Sequence, residues 1–145
     1  GGGRKRMENH FSTFGRHVVV DTWGSDYLKL NDVHFFECQL VKAAEKSGAT
    51  VLSSQVKQFE PQGATVLVML SESHISIHTY PEKGFAAIDC YTCGETVDPQ
   101  VAVDFLISVL KPKRSCCKTL VRGQGSIEVM DEQPTHRLAA KATFF

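Results

Sequence analysis

A serine preceded by an acid, Glu72-Ser73, stands close ahead of a histidine, His78, and a cysteine, Cys93, within residues 70–94. A hydroxyl, an imidazole and a thiol are the side chains that act as nucleophile, base and proton donor once they are brought together. Spacing alone does not unite them. Ser73 and His78 are an odd number of residues apart, so a regular strand points them to opposite faces, unless the strand begins after Ser73 or a bulge re-aims one of them. Cys90-x-x-Cys93 with His74 and His78 also invites a zinc reading. In a strand, however, the two cysteines face opposite sides, unlike the turn of a zinc knuckle. A redox pair is no better, because no helix begins between them. Cys90 reads as a small core hydrophobe, and Cys116 and Cys117 as residues packed within a strand. His10, His17, His34 and His136 read as surface or satisfied core residues.

The rest of the chain bounds the possibilities. Its 145 residues fit one domain, and 42% apolar with 22% charged residues is an ordinary soluble composition. Sixteen basic and sixteen acidic residues give no formal net charge, so no basic stripe argues for nucleic acid and no cationic helix face for a membrane. The apolar runs near Val66–Leu70 and Val101–Leu110 are too short to span a bilayer, and no secretory leader is visible. Five cysteines without a framework spacing point to a reducing cytoplasm. Gly1–Arg6 reads as an expression-tag remnant ahead of Met7, residues 7–130 as one domain, and 131–145 as a loose tail in which Phe144-Phe145 could dock.

Periodicity places the elements. His17–Asp21 predicts a first strand. Asn31 or Asp32 caps a helix with Phe36, Leu40, Val41 and Ala44 on one face, closed by Gly48. Thr50–Phe59, Thr65–Leu70 and His74–Thr79 read as strands, and Pro81–Gly84 as a turn that pairs the last of these antiparallel with Phe85–Tyr91. Asp98-Pro99 starts a helix whose stripe is Ala102, Phe105, Leu106, Val109 and Leu110. Ser115–Val121 and Ser126–Met130 complete six or seven strands. The expected fold is α+β, a two-layer sandwich with two helices on one face of an antiparallel sheet. Val66–Leu70 is apolar on both sides, so the uncovered face should meet a partner, and a sheet-to-sheet homodimer is the natural cover.

The motif Ser-Glu-Ser-His-x-x-Ile-His-Thr (71–79) followed by Thr-Cys-Gly (92–94) resembles the self-cleavage and active-site segment of the prokaryotic S-adenosylmethionine decarboxylases. Phe-Gly-Arg-His near the start, Lys-Ser-Gly-Ala-Thr after the first helix and Arg-Gly-Gln-Gly-Ser-Ile-Glu-Val near the end extend the resemblance over residues 14–130. Decarboxylating an amino acid leaves electrons at Cα that no ordinary side chain absorbs. Pyridoxal phosphate would call for a lysine and a phosphate cradle, and no Gly-rich phosphate loop is present. The family instead makes a pyruvoyl group from a serine. The hydroxyl attacks the preceding carbonyl to give an ester, β-elimination splits the chain, and the dehydroalanine hydrolyses.

The resemblance implies cleavage between Glu72 and Ser73, with Ser73 becoming the pyruvoyl group that forms a Schiff base with substrate. It implies His78 as the processing base and Cys93 as the proton donor to the product carbon. It implies Phe59 and Tyr80 sandwiching adenine and Glu82 on the ribose hydroxyls. Thr65 occupies a place where the family usually has a serine assisting the histidine, and the Ala-Thr-Val-Leu-Val around it departs from the small residues expected there. No metal and no pyridoxal phosphate are expected. The implied assembly is an (αβ)₂ homodimer of four layers, and the implied role is supply of the aminopropyl donor for spermidine. Two alternatives stay open: a pyruvoyl-dependent decarboxylase of ornithine or arginine on the same scaffold, and a catalytically silent partner subunit.

Overall fold

The computed structural model describes residues 12–130, so the readings of Gly1–Arg6 and of the 131–145 tail lie outside the described residues. Seven strands, β1 (Gly15–Trp23), β2 (Val51–Gln58), β3 (Ala64–Leu70), β4 (Ser73–Tyr80), β5 (Phe85–Cys93), β6 (Arg114–Arg122) and β7 (Glu128–Val129), form one sheet in the order β2-β3-β4-β5-β1-β6-β7. Every neighbouring pair is antiparallel. Three α-helices accompany it: a single turn α1 (Tyr27–Leu30), α2 (Val33–Lys46) and α3 (Pro99–Leu110). The fold is the expected α+β two-layer sandwich, with the short α1 added. Its four residues are too few for a hydrophobic period, and its signal was the Asp26 cap that accepts from the Lys29 amide at 3.0 Å.

The two long helices begin where their caps say. Asp32 accepts from the Phe35 amide at 3.0 Å and Asp98 from the Gln100 amide at 3.0 Å, each satisfying a donor that has no partner inside the helix. Phe36, Leu40 and Ala44 of α2 and Ala102, Leu106 and Leu110 of α3 are buried. They pack against Val18, Val66, Val68, Ile75, Ile77, Ile88 and Cys90, alternate residues of β1, β3, β4 and β5. Burying a side chain of this size contributes about 1.5–3 kcal/mol.

Among the described residues, no helix lies over the other alternate set. Leu67 is 45% exposed and Met69 56%, although their β3 neighbours Val66 and Val68 are fully covered. The two-sided apolar character of β3 is thus real, and one of its faces is open among the described residues.

Candidate active site

Ser73 opens β4, and its backbone departs from the strand: φ is 145°, a left-handed value that a side chain disfavours. The strand nevertheless includes Ser73, paired with Leu70 and Thr92, and its register runs to Tyr80 without a bulge, so neither a later strand start nor a bulge relieves the odd spacing, and the departure is confined to the Ser73 backbone itself. Its Oγ comes within 3.3 Å of Nδ1 of His74, whose ring lies over the open face.

The peptide bond that joins Ser73 to Glu72 is held from both sides. The Cys93 amide donates to the Glu72 carbonyl oxygen at 2.8 Å, and the Glu72 carboxylate accepts from the Thr50 amide at 3.1 Å. The donor at the carbonyl is placed where negative charge develops when a nucleophile adds to that carbon. Cys93 reaches it through the pairing of β4 with β5, which sets Ser73 opposite Thr92 and leaves Cys93 facing Glu72. Its side chain is half-buried.

His78 lies elsewhere. It pairs with Thr65 on β3 and Ala87 on β5, five residues along β4 from Ser73. At the rise of an extended strand the two are about 16 Å apart. Thr65 Oγ1 is 3.0 Å from Nδ1 of His78, so the threonine hydroxyl meets the histidine.

Phe59 follows β2, Tyr80 ends β4, and Glu82 sits in the 3-10 turn Pro81–Lys83, all at the His78 end of the sheet. Both rings are available to a ligand, at 45% and 49% exposed. Asn31 steadies the loop that carries Phe59, accepting from the Gly63 amide at 2.9 Å and from Gln58 Nε2 at 3.1 Å. The residues expected from the sequence to form one site thus fall into two groups. Glu72, Ser73 and Cys93 lie at one end, and Thr65, His78, Phe59, Tyr80 and Glu82 at the other.

Between them the open face holds a depression of about 370 Å³ lined by Leu67, His74, Ser76, His78 and Asp89. Asp89 is its polar centre. One oxygen accepts from Ser76, and the other lies 2.7 Å from Nε2 of His17 and 3.3 Å from Nε2 of His74. Burial alone would raise the carboxyl pKa. Hydrogen bonds from Ser76, His17 and His74 outweigh it and hold the pKa below its usual 3.8.

Arg122 donates to Nδ1 of His17 at 3.1 Å, which puts the ring proton of the neutral imidazole on Nε2, toward Asp89. Its guanidinium also stacks 4.4 Å over Tyr91, whose ring touches both histidines. Ligand atoms of His17, His74 and Asp89 lie within 4.8 Å of one another, close enough for a metal. The three side chains already form a hydrogen-bonded cluster in which one oxygen of Asp89 is shared by the two histidines.

Sequence reasoning did not single out Asp89, Ser76 or Arg122, and took His17 for a satisfied or surface histidine. His17 is indeed satisfied, but its partners come from β5 and β6, and only the register brings them together. Cys90 and Cys93 fall on opposite faces, as their odd spacing required. Burial pushes the Cys90 thiol up to about 12, which leaves it an inert core side chain. Cys117 is buried, whereas Cys116, expected to pack within its strand, is exposed.

Residues 16–123 match the family model for S-adenosylmethionine decarboxylase. The chain belongs to the S-adenosylmethionine decarboxylase family. It is 63% identical over 131 residues to the S-adenosylmethionine decarboxylase proenzyme of Brevibacillus brevis, covering 90% of this chain and 98% of that protein. With the S-adenosylmethionine decarboxylase proenzyme 2 of Bacillus cereus it shares 59% over 121 residues, 83% of this chain and 98% of the relative. The crystal structure of the adenosylmethionine decarboxylase from Aquifex aeolicus superposes with a TM-score of 0.71 at 38% identity, over 84% of this chain and 99% of that one. The Trypanosoma brucei AdoMetDC-delta26 monomer shares the fold alone, with a TM-score of 0.53 at 16% identity, and this chain spans 46% of it. Among the described residues no helix is long and apolar enough to cross a membrane.

Proposed function

We propose that this chain is a self-processing S-adenosylmethionine decarboxylase. It cuts itself between Glu72 and Ser73, turns Ser73 into a pyruvoyl group, and decarboxylates S-adenosylmethionine to the aminopropyl donor for spermidine synthesis. The observation that carries this reading is the strained Ser73, φ 145°, following a carbonyl that already accepts the Cys93 amide at 2.8 Å. Strain at Ser73 raises the ground state of the bond to be broken, and the amide stabilises the oxyanion formed when its hydroxyl adds. A pyruvoyl carbonyl at that position supplies the electron sink that decarboxylation needs. Cys93, beside it, returns a proton to the substrate carbon.

The two half-sites call for a second copy. Ser73 cannot use the His78 of its own chain across about 16 Å of strand. The open face with Leu67 and Met69 suits a sheet-to-sheet homodimer. A two-fold axis lying in the interface and running across the strands turns the two open faces toward each other and exchanges the strand ends, so each Ser73 end meets the Thr65–His78 end of the other copy, giving two composite sites. Phe59 and Tyr80 then bracket an adenine, and the Glu82 carboxylate accepts from the ribose hydroxyls.

These two exposed rings favour the nucleoside over ornithine or arginine, whose small cationic side chains need no aromatic sandwich. Purified protein should separate into residues up to 72 and residues from 73, and should release carbon dioxide from S-adenosylmethionine and not from ornithine or arginine. Cleavage with release from ornithine or arginine alone would move the substrate assignment. A chain that stays whole and silent would make it a partner subunit.

A further inference from the structure

Ester formation at Glu72-Ser73 needs a base for the serine hydroxyl, and that base must act before the one that takes the Cα proton. Nδ1 of His74 is 3.3 Å from Ser73 Oγ, and Nε2 of the same ring is 3.3 Å from Asp89. A carboxylate only accepts, so the ring proton of neutral His74 sits on Nε2, and the lone pair of Nδ1 is left pointing at the hydroxyl. Hydroxyl, imidazole and carboxylate thus stand in the order in which an activated serine is built, with the Cys93 amide on the carbonyl under attack. His17 and Ser76 hold Asp89 from its remaining sides, and Arg122 holds His17. Asp89 stays ionised because those donors outweigh its burial.

We propose that His74 is the base that takes the Ser73 hydroxyl proton as the ester forms, with Asp89 as the positioning residue that fixes its ring. The inference rests on the self-cleavage reading above. In the step, the Oγ–H bond breaks and the proton passes to Nδ1 of His74 while Oγ bonds to the Glu72 carbonyl carbon. The carbonyl electron pair moves onto oxygen, facing the Cys93 amide. When that pair returns, the bond from the Glu72 carbon to the Ser73 nitrogen breaks, and the nitrogen takes the proton back from His74. The products are an ester and a free amine, with no net proton lost and His74 restored. His78, held by Thr65, is left for the Cα proton of the elimination that follows.

The test compares intact masses over time for the wild type, His74→Gln, Asp89→Asn and His78→Ala, with and without hydroxylamine, which cleaves esters and leaves amides. His74→Gln keeps an amide donor toward Asp89 and has no base. It should cleave at least about 10²-fold more slowly, the usual scale for a positioned base. Hydroxylamine should not accelerate it, because no ester accumulates. Asp89→Asn should slow the same step less, again without response to hydroxylamine. His78→Ala should stall at the ester and be cut by hydroxylamine.

A second measurement guards against a folding defect. With Ser73→Cys the thiol ionises without help far more readily than a hydroxyl, so adding His74→Gln there should cost less than about tenfold. Equal losses in both backgrounds would make His74 structural and overturn the proposal. So would normal cleavage, or accumulation of a hydroxylamine-sensitive ester, in His74→Gln when the wild type cleaves. A wild-type chain that stays whole overturns the self-cleavage reading, and this inference with it.

Discussion

Thr65 Oγ1 lies 3.0 Å from Nδ1 of His78, five residues along β4 from Ser73, which among the described residues is the one serine with a left-handed backbone. The hydroxyl that meets the histidine and the hydroxyl proposed to be consumed thus lie at different ends of the strand. A hydrogen bond of this kind contributes about 1 kcal/mol net, equivalent to roughly fivefold in a rate if it is lost in the transition state. Thr65→Ala should slow the elimination by about that factor and let ester accumulate. Thr65→Ser should process at least as fast as the wild type. Hydroxylamine-sensitive mass in Thr65→Ala and none in Thr65→Ser is the expected pattern.

Composite sites predict complementation. Ser73→Ala keeps Thr65 and His78 intact, and His78→Ala keeps Ser73 and Cys93 intact. Neither should cleave alone. Co-expressed, they should form mixed dimers with one complete site, in which only the His78→Ala chain is cut. A tag on one chain identifies the cut species by mass. No cleavage in dimers shown by light scattering to be mixed would mean that each chain processes itself. Leu67→Lys, which puts a charge on the exposed apolar face, should give monomers and abolish cleavage in the same assay.

Much of this molecule was legible from its sequence, for physical reasons that differ by element. α2 and α3 announce themselves through Asp32, Asp98 and Pro99 and through apolar stripes of helical period, because a helix writes its neighbours locally. The sheet pairs residues far apart in the chain, so alternation shows which residues share a face on one strand but not which strands are adjacent. His17, His74 and Asp89 are each unremarkable on β1, β4 and β5, and become a cluster only through the strand order β4-β5-β1. The Cys93 amide is a backbone group with no sequence signature at all. The separation of Ser73 from His78 was hidden for a related reason. Closeness in sequence suggests a shared site, whereas five residues of extended strand carry two side chains far apart.

Acid should find Asp89. Burial pushes its carboxyl up, and the donors from Ser76, His17 and His74 more than reverse that, so the folded pKa lies below the usual 3.8. A carboxyl depressed on folding contributes stability that is complete above the unfolded pKa and is lost as pH falls toward the folded one. In uncleavable Ser73→Ala protein, the urea midpoint should therefore fall from about pH 4 downward. Adding Asp89→Asn should lower the midpoint at neutral pH and flatten that acid limb. Parallel limbs in the two proteins would assign the acid sensitivity to another carboxylate.

The two cysteines of Cys90-x-x-Cys93 should behave as different chemical species. Cys90 is 1% exposed, on the helix-covered face, with its thiol pushed up to about 12 by burial and by the charges of Asp89 and Asp98. It carries essentially no thiolate at neutral pH, and a volume-conserving Cys90→Val should alter activity little and stability by less than about 1.5 kcal/mol. Cys93 is half-buried and bound through its amide to the carbonyl before Ser73. Cys93→Ala keeps that amide, so the chain should still cut at Glu72-Ser73. It should then decarboxylate roughly 10²-fold more slowly for want of the thiol proton. Without correct protonation of the substrate carbon, turnover should also end in progressive inactivation, seen as a decaying rate of carbon dioxide release and a changed mass at the new N-terminus. Undiminished turnover in Cys93→Ala would give the proton to another group. Loss of chain cleavage in that variant would show instead that the thiol, and not only the amide, serves the oxyanion.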